Sequence, residues 1–118
     1  MLPKQHRLPG FKIPDLLNSK ATFQSPFFGL KTTESNHSHP RIGFIVSTKI
    51  AKNAVDRNRI KRLLREAIKP HLQSLKLNHD FLFLAKHPIK GKSLKEIKPH
   101  VSSLLKKTKL LSNEKTSS

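Results

Sequence analysis

Basic side chains and one amide are concentrated in residues 54–69, whose sequence is AVDRNRIKRLLREAIK. At about 100° per residue, a helix here places a set of apolar side chains on one arc: Ile60, Leu63, Leu64, Ala67 and Ile68. The opposite arc carries the polar set: Asn58, Arg59, Lys61, Arg62, Arg65 and Lys69. Only Glu66 interrupts these like charges, which repel one another at helical spacing. The pattern therefore predicts a helix that packs on a core and binds a polyanion through its basic side.

The charge of the whole chain supports the same interpretation. Its 118 residues contain 24 Lys and Arg but 7 Asp and Glu, which gives a formal net charge of +17. Such an excess indicates a polyanionic partner. A membrane surface is the competing partner, but it requires a helix whose apolar side has no other use, whereas here that side is predicted to be core. The chain shows neither a transmembrane run nor the apolar segment of a secretory signal, so we expect a soluble, cytoplasmic protein with no membrane partner.

The residues that could perform catalysis are dispersed. Two-metal nucleases need clustered carboxylates, and no clustering is apparent among the seven acidic residues: Asp15, Glu34, Asp56, Glu66, Asp80, Glu96 and Glu114. The absence of cysteine excludes disulfides and thiolate metal sites. His37 and His39 lie two residues apart in a predicted loop, but no third metal ligand is evident. A histidine pair acting as acid and base stays formally open; the better prediction is a binding protein with no catalytic residue and no metal site of its own.

The first half of the chain contains signals for one helix and two strands. Residues 1–12 are basic and rich in Pro and Gly, which favours an irregular arm. Pro14 is typical of a first helical position, so we predict a short helix from Pro14 to about Ser19. Strands are predicted at residues 27–33 and 42–46, joined by a loop over residues 34–40, and together they suggest an antiparallel hairpin.

The second half begins with the basic helix, which Pro70 should end or bend near Lys69. Residues 80–85 are apolar on both faces, as in an interior strand. Ser93 and Glu96 form a capping-box pattern that opens a last helix. Pro99 should kink that helix or start it anew.

These elements follow the order α-β-β-α-β-α and predict an α/β (α+β) two-layer sandwich with a small mixed sheet. We expect one RNA-binding domain over residues 1–111, followed by a polar, disordered tail at residues 112–118.

The chain resembles a known family over most of its length. Arg41–Ser47 reads R-x-G-x-x-V-S, Lys49-Ile follows it, and Asn53-Ala-Val leads into RNRIKRLLRE at residues 57–66. This arrangement is similar to the protein subunit of bacterial ribonuclease P, in which the Arg-Asn-Arg box follows such a strand at this distance. The likeness extends to three further segments: His6-Arg7-Leu8, Ser25–Phe28 and Asp80–Lys86.

The resemblance implies a ribosomal-protein-type fold with a left-handed βαβ crossover, an exception to the usual hand. It also implies a subunit of an endoribonuclease that removes the 5′ leader of precursor tRNA. The catalyst would be the ribonuclease P RNA, which would also hold most of the Mg²⁺, while the protein would bind that RNA and precursor tRNA. No protein partner is implied.

Site residues follow by matching positions to the family. The box and its surroundings give an RNA-binding set: Lys49, Lys52, Asn53, Arg57, Asn58, Arg59, Lys61, Arg62, Arg65 and Lys69. A cleft between the sheet and the first helix would bind the leader and would contain Phe28, Phe44, Ile13 and Leu17. The family's first helix commonly carries phenylalanines, which are absent from Ile13–Leu17 here, and the chain has no tyrosine. Base stacking therefore depends on Phe28 and Phe44, and core packing is the alternative for both.

A second function fits the same charge and fold. A ribosomal or RNA-chaperone-like binding protein would also be basic and α/β, without any role in cleavage. The spacing of the Arg-Asn-Arg box after its strand favours the ribonuclease P subunit.

Overall fold

Three α-helices and four strands form within residues 2–19 and 22–107, the part of the chain that the computed structural model describes. The helices are α1 (Ile13–Leu17), α2 (Ala54–Ile68) and α3 (Leu94–Lys107), and the strands are β1 (Thr22–Gln24), β2 (Phe28–Glu34), β3 (Arg41–Ile45) and β4 (His79–Ala85). This confirms a mixed α+β fold, although the predicted order lacked the three-residue β1. The predicted disorder of residues 112–118 lies outside the described residues.

The four strands form one sheet in the order β1-β2-β4-β3. Strand β2 is antiparallel to both β1 and β4, whereas β3 runs parallel to β4. The predicted hairpin between residues 27–33 and 42–46 is therefore wrong, because β4 lies between those two strands. Phe81 and Leu82 of β4 are both buried although they face opposite sides of the sheet, and a strand that is apolar on both faces gains most from a central position.

The main core lies between one face of the sheet and the helices α2 and α3. The predicted apolar arc of α2 is confirmed: Leu64, Ala67 and Ile68 are 1% exposed, and Leu63 is partly buried against the same cluster. Burying each large aliphatic side chain contributes about 1.5 to 3 kcal/mol, so the core can hold α2 in place while its other side stays in solvent.

The opposite sheet face packs against α1 and the N-terminal arm. Leu16 of α1 and Leu82 of β4 are fully buried and lie outside the main cluster. The backbone N–H of Leu8 donates to the carbonyl of Ile42 at 3.1 Å, and a Cβ at Gly43 would lie 2.9 Å from Cδ2 of Leu8. Glycine at position 43 thus lets the arm approach the sheet closely.

The helix ends follow local sequence signals. Helix α2 continues at Lys69 as a 3₁₀ segment to Ser74, with Pro70 in its first turn as expected. The capping box that opens α3 is confirmed, because Ser93 N donates to Glu96 Oε2 at 2.8 Å and Glu96 N donates to Ser93 Oγ at 3.3 Å. The backbone N–H and the hydroxyl of Ser93 both donate to the Glu96 carboxylate, and these two hydrogen bonds lower the pKa of Glu96. Pro99 lies inside α3, which runs through it as one helix.

Helix α2 connects the neighbouring parallel strands β3 and β4. This is the predicted βαβ unit; the left hand of the crossover stays a prediction. In the described part of the chain, no helix combines the length and apolarity needed to span a bilayer.

Candidate RNA-binding surfaces

The basic face of α2, defined as Asn58, Arg59, Lys61, Arg62, Arg65 and Lys69, points away from the core. Asn58, Arg59, Arg62 and Lys69 are exposed, and Lys61 and Arg65 are partly exposed. Lys69 pairs with Glu66 at 3.1 Å, and the other ion pair among the described residues joins Arg41 to Asp80. Every other cation of this face therefore lacks an acidic partner within the described residues. This side of the protein attracts anions.

Phe44 lies under this face. The guanidinium carbon of Arg65 is 5.8 Å from the centroid of the Phe44 ring, a cation–π distance. The Phe44 ring also stacks on Phe83, with centroids 5.7 Å apart and an angle of 20° between the rings. Phe44 pairs in register with Phe83 and shares its helix-covered side of the sheet. Its predicted place in a cleft with the first helix is thus wrong, because strand alternation directs the ring toward α2.

Arg57 holds the loop that precedes α2. Its Nη1 donates to the carbonyl oxygens of Ala51 at 3.1 Å and Lys52 at 2.7 Å. Asn53 is the N-cap residue of the helix, and its Nδ2 lies 3.5 Å from Oδ2 of Asp56. One guanidinium nitrogen of Arg57 therefore has a structural role, and its other donors have no hydrogen-bond partner among the described residues.

The loop that Arg57 holds carries three of the predicted RNA-binding residues. Lys49, Lys52 and Asn53 are all exposed. The structure thus brings them beside the first turn of α2, at one end of the basic face.

Phe28 belongs to the core. It is 0% exposed, and its ring centroid is 5.4 Å from that of Phe83. It lies opposite Ala85 in the β2–β4 pairing, on the side of the sheet that packs against the helices. Its predicted role in stacking on leader bases is wrong, because no part of the ring reaches solvent.

The other sheet face has exposed apolar side chains at α1. Ile13 is partly exposed and Leu17 is 43% exposed. Phe11 precedes α1 within the 3₁₀ turn Gly10–Lys12 and is 76% exposed. Sequence reasoning missed it by assigning residues 1–12 to an irregular arm. The available signal was an aromatic residue three positions before Pro14, where the predicted helix begins.

Three of the seven histidines form a group that the sequence did not reveal. The ring of His39 lies 5.7 Å from His6 and 5.9 Å from His37, centroid to centroid. His6 Nδ1 donates to the carbonyl of Pro40 at 2.8 Å, and His37 Nε2 donates to that of Gln5 at 3.2 Å. These bonds attach the arm to the loop after β2. Across residues 2–19 and 22–107, no three His, Cys, Asp or Glu side chains are arranged to hold a metal ion.

A four-stranded mixed sheet is covered by a helix whose cations, Lys69 excepted, have no ion-pair partner in residues 2–19 and 22–107. These features define a basic α+β protein of the RNA-binding class. A family model described as Ribonuclease P matches residues 2–109. The chain belongs to the ribonuclease P protein family, whose members act with ribonuclease P RNA. The ribosomal or chaperone-like alternative is not favoured.

Individual relatives agree with this assignment. The chain is 38% identical over 78 residues to the ribonuclease P protein component of Alkaliphilus metalliredigens, covering 66% of this chain and 69% of that protein. It is 35% identical over 98 residues to the corresponding component of Lactococcus lactis subsp. cremoris strain MG1363, covering 80% of each. The solved RNase P protein of Staphylococcus aureus gives a TM-score of 0.78 at 28% identity, over 90% of this chain and 97% of that one.

Proposed function

We propose that this ribonuclease P protein binds the catalytic RNA subunit through the basic face of α2 and the 5′ leader of precursor tRNA through the α1 side of the sheet. It thereby assists endonucleolytic removal of the leader, with the chemistry carried by the RNA. The observation that carries the proposal is the basic face itself: its cations lie on a helix anchored by buried side chains, and all but Lys69 lack ion-pair partners in the described residues.

The geometry of the basic face suits phosphate groups. Arg59 and Arg62 are exposed and lie on adjacent turns of α2, and arginine binds phosphate through two parallel hydrogen bonds. Because the apolar side of α2 is buried in the core, the helix is already folded before RNA binds. Binding therefore does not include the entropic cost of ordering it. Binding should release counterions and so depend steeply on salt.

The exposed apolar side chains near α1 suit an unpaired leader. Phe11 offers an aromatic surface to solvent, and Leu17 extends the apolar area along α1. Base stacking on an aromatic ring contributes about 1 to 3 kcal/mol per base and tolerates any sequence. The leader site therefore consists of Phe11, Ile13 and Leu17, in place of the buried Phe28 and of Phe44 beneath α2.

The described side chains do not form a set of ligands for magnesium. No three suitable groups converge in the described part of the chain, whereas Mg²⁺ is commonly bound through phosphate oxygens, which a folded RNA supplies in number. We therefore place Mg²⁺ mainly on the RNA. We also propose a cytoplasmic location, because the protein must meet its RNA subunit and precursor tRNA in the same compartment.

A reconstitution assay tests the proposal. The protein is added to a bacterial ribonuclease P RNA at low magnesium, and cleavage of precursor tRNA at the mature 5′ end is measured. We expect cleavage with both components and none with RNA-free protein. Metal-dependent cleavage by the protein alone would overturn the assignment of chemistry to the RNA. Failure to activate the RNA would favour a binding protein outside tRNA maturation.

A further inference from the structure

A groove of about 480 Å³ separates one side of α2 from the segment that leads into α3. Asp56, Arg59 and Leu63 line it from α2, and residues 89–94 form the other wall. Its volume falls in the range of about 300 to 1,000 Å³ that is typical of small-molecule sites. The groove can therefore hold a ligand of the size of one nucleotide.

The floor of the groove is apolar. Ile60 and Ile89 are 7% and 1% exposed, and Leu63 and Leu94 are partly buried against the core. These partly buried leucine side chains offer an apolar surface against which a base can pack. This apolar floor lies beside Arg59 and Arg62, which are exposed arginines of the basic face.

Cations line both walls. Arg59 and Arg62 lie on α2, and Lys90 and Lys92 lie on the facing segment. The ammonium group of Lys92 is 5.8 Å from the centroid of the Phe27 ring, outside the groove lining, so Lys90 is the main cation of this wall. None of these four forms an ion pair within the described residues. An anionic group in the middle of the groove would meet positive charge from two independent elements, an arrangement that fits a phosphate.

The two carboxylates of the groove lie toward its ends. Asp56 and Glu66 are ten residues apart on α2, which corresponds to about 15 Å along the helix axis. A carboxylate repels a phosphate but accepts hydrogen bonds from the exocyclic amino group of a base. Glu66 also accepts a hydrogen bond from Lys69, but a carboxylate has further lone pairs. The order along α2, with cations between two acceptors, therefore fits a nucleotide better than a free phosphate.

We propose that this groove binds one unpaired nucleotide of ribonuclease P RNA, with its base on Leu63 and Leu94 and its phosphate between the two cationic walls. The inference rests on the proposed function and adds that the protein recognises one unpaired nucleotide of the RNA in this groove. The RNA subunit is the source because the groove lies in the α2–α3 layer, whereas the proposed leader site is at α1, on the opposite side of the sheet.

Site-directed crosslinking identifies the source of the nucleotide. The chain contains no cysteine, so Lys90→Cys provides a single attachment point for an azidophenacyl group inside the groove. The holoenzyme is assembled with ribonuclease P RNA and precursor tRNA and then irradiated. We expect a crosslink to one short region of the RNA subunit. The exposed Lys76, which lies outside the groove, gives the control Lys76→Cys. Crosslinking to precursor tRNA, or equally from both positions, would overturn the proposal.

A nucleotide titration tests for the base. Methyl NMR signals of Leu63 and Leu94 are followed while adenosine 5′-monophosphate or inorganic phosphate is added to the full chain. We expect the adenine ring to shift both methyl groups, and phosphate alone to leave them unmoved. Identical responses to the two probes would reduce the groove to a general anion site and would contradict the proposal.

One variant separates this inference from the function on which it rests. Lys90→Ala should weaken assembly with ribonuclease P RNA by roughly two- to fivefold, and Lys76→Ala should not. If Arg62→Ala weakens assembly while Lys90→Ala and the nucleotide titration show no effect, the groove proposal fails and the proposed function stands. If neither Arg62→Ala nor Lys90→Ala alters assembly, both fail.

Discussion

Arg41 and Asp80 form a two-pronged ion pair across the parallel strands β3 and β4. Arg41 Nε donates to Asp80 Oδ1 at 2.8 Å, and Arg41 Nη2 donates to Oδ2 at 2.9 Å. The side chains are 12% and 2% exposed. The hydrogen bond to Asp80 is the main cause of the raised pKa of Arg41. The arginine that opens the family-like strand is therefore a structural residue, and its charge is not free for RNA.

Arg41→Ala should destabilise the protein by about 3 to 5 kcal/mol, because it leaves the Asp80 carboxylate buried without its partner. Arg41→Lys keeps the charge but loses the paired geometry, so its loss should be smaller. Urea unfolding of the three proteins measures both effects. Equal stability of the alanine variant and the parent would show that Asp80 is solvated after all.

Leu64→Ala should cost about 2 to 5 kcal/mol of unfolding free energy, because it opens a cavity where the side chain is 1% exposed. Arg62→Ala lies on the basic face of the same helix and should change stability by less than about 0.5 kcal/mol. Thermal unfolding of the two variants compares the faces of α2. A matching loss in both would contradict the division of the helix into a core side and a basic side.

Arg59→Ala and Arg62→Ala should each weaken RNA affinity and reduce the magnitude of the salt slope. The slope should fall by about 0.7 to 0.9 for each phosphate that the protein no longer neutralises. Binding to ribonuclease P RNA is measured across a series of salt concentrations, with Lys76→Ala as the control for an exposed lysine elsewhere. Unchanged slopes in both arginine variants would mean that these side chains do not bind phosphates.

Phe11→Ala should weaken binding of precursor tRNA that carries a leader, with little effect on mature tRNA or on stability. The expected loss is about 1 to 3 kcal/mol if one base stacks on the ring. Phe28→Ala is the contrasting variant: it should cost about 3 to 5 kcal/mol of stability because Phe28 is fully buried. Equal weakening of both tRNAs by Phe11→Ala would remove this residue from the leader site.

Stability should fall as the pH decreases through the ordinary His71 pKa of 6.5. Burial is the main cause of the lowered pKa of His71 in the fold, followed by the charges of Lys106 and Lys98. The unfolded chain then binds more protons than the folded chain in this range, so unfolding becomes more favourable at acid pH. His71→Gln should flatten the dependence of melting temperature on pH between about 5 and 8. An unchanged profile would assign the dependence to other groups.

Local patterns in the sequence were enough for the parts of the fold that depend on near neighbours. The two sides of α2 and the capping box of Ser93 and Glu96 follow from spacings of three or four residues, where helix geometry determines which side chains meet. The end of α2 near Lys69 follows from Pro70, which lacks the N–H that would continue the helix. The basic face was predictable for the same reason, and with it the RNA-binding class.

Long-range pairing decided the rest. Arg41 and Asp80 are separated by 39 positions, and no local pattern indicates that β4 lies between β2 and β3. Strand order determines which sheet face each aromatic residue occupies, and so it placed Phe28 in the core and Phe44 beneath Arg65. Helix packing likewise brought residues 89–94 against α2 and created the groove. These interactions depend on how apolar faces bury one another across the whole chain, and that is a property of the tertiary structure.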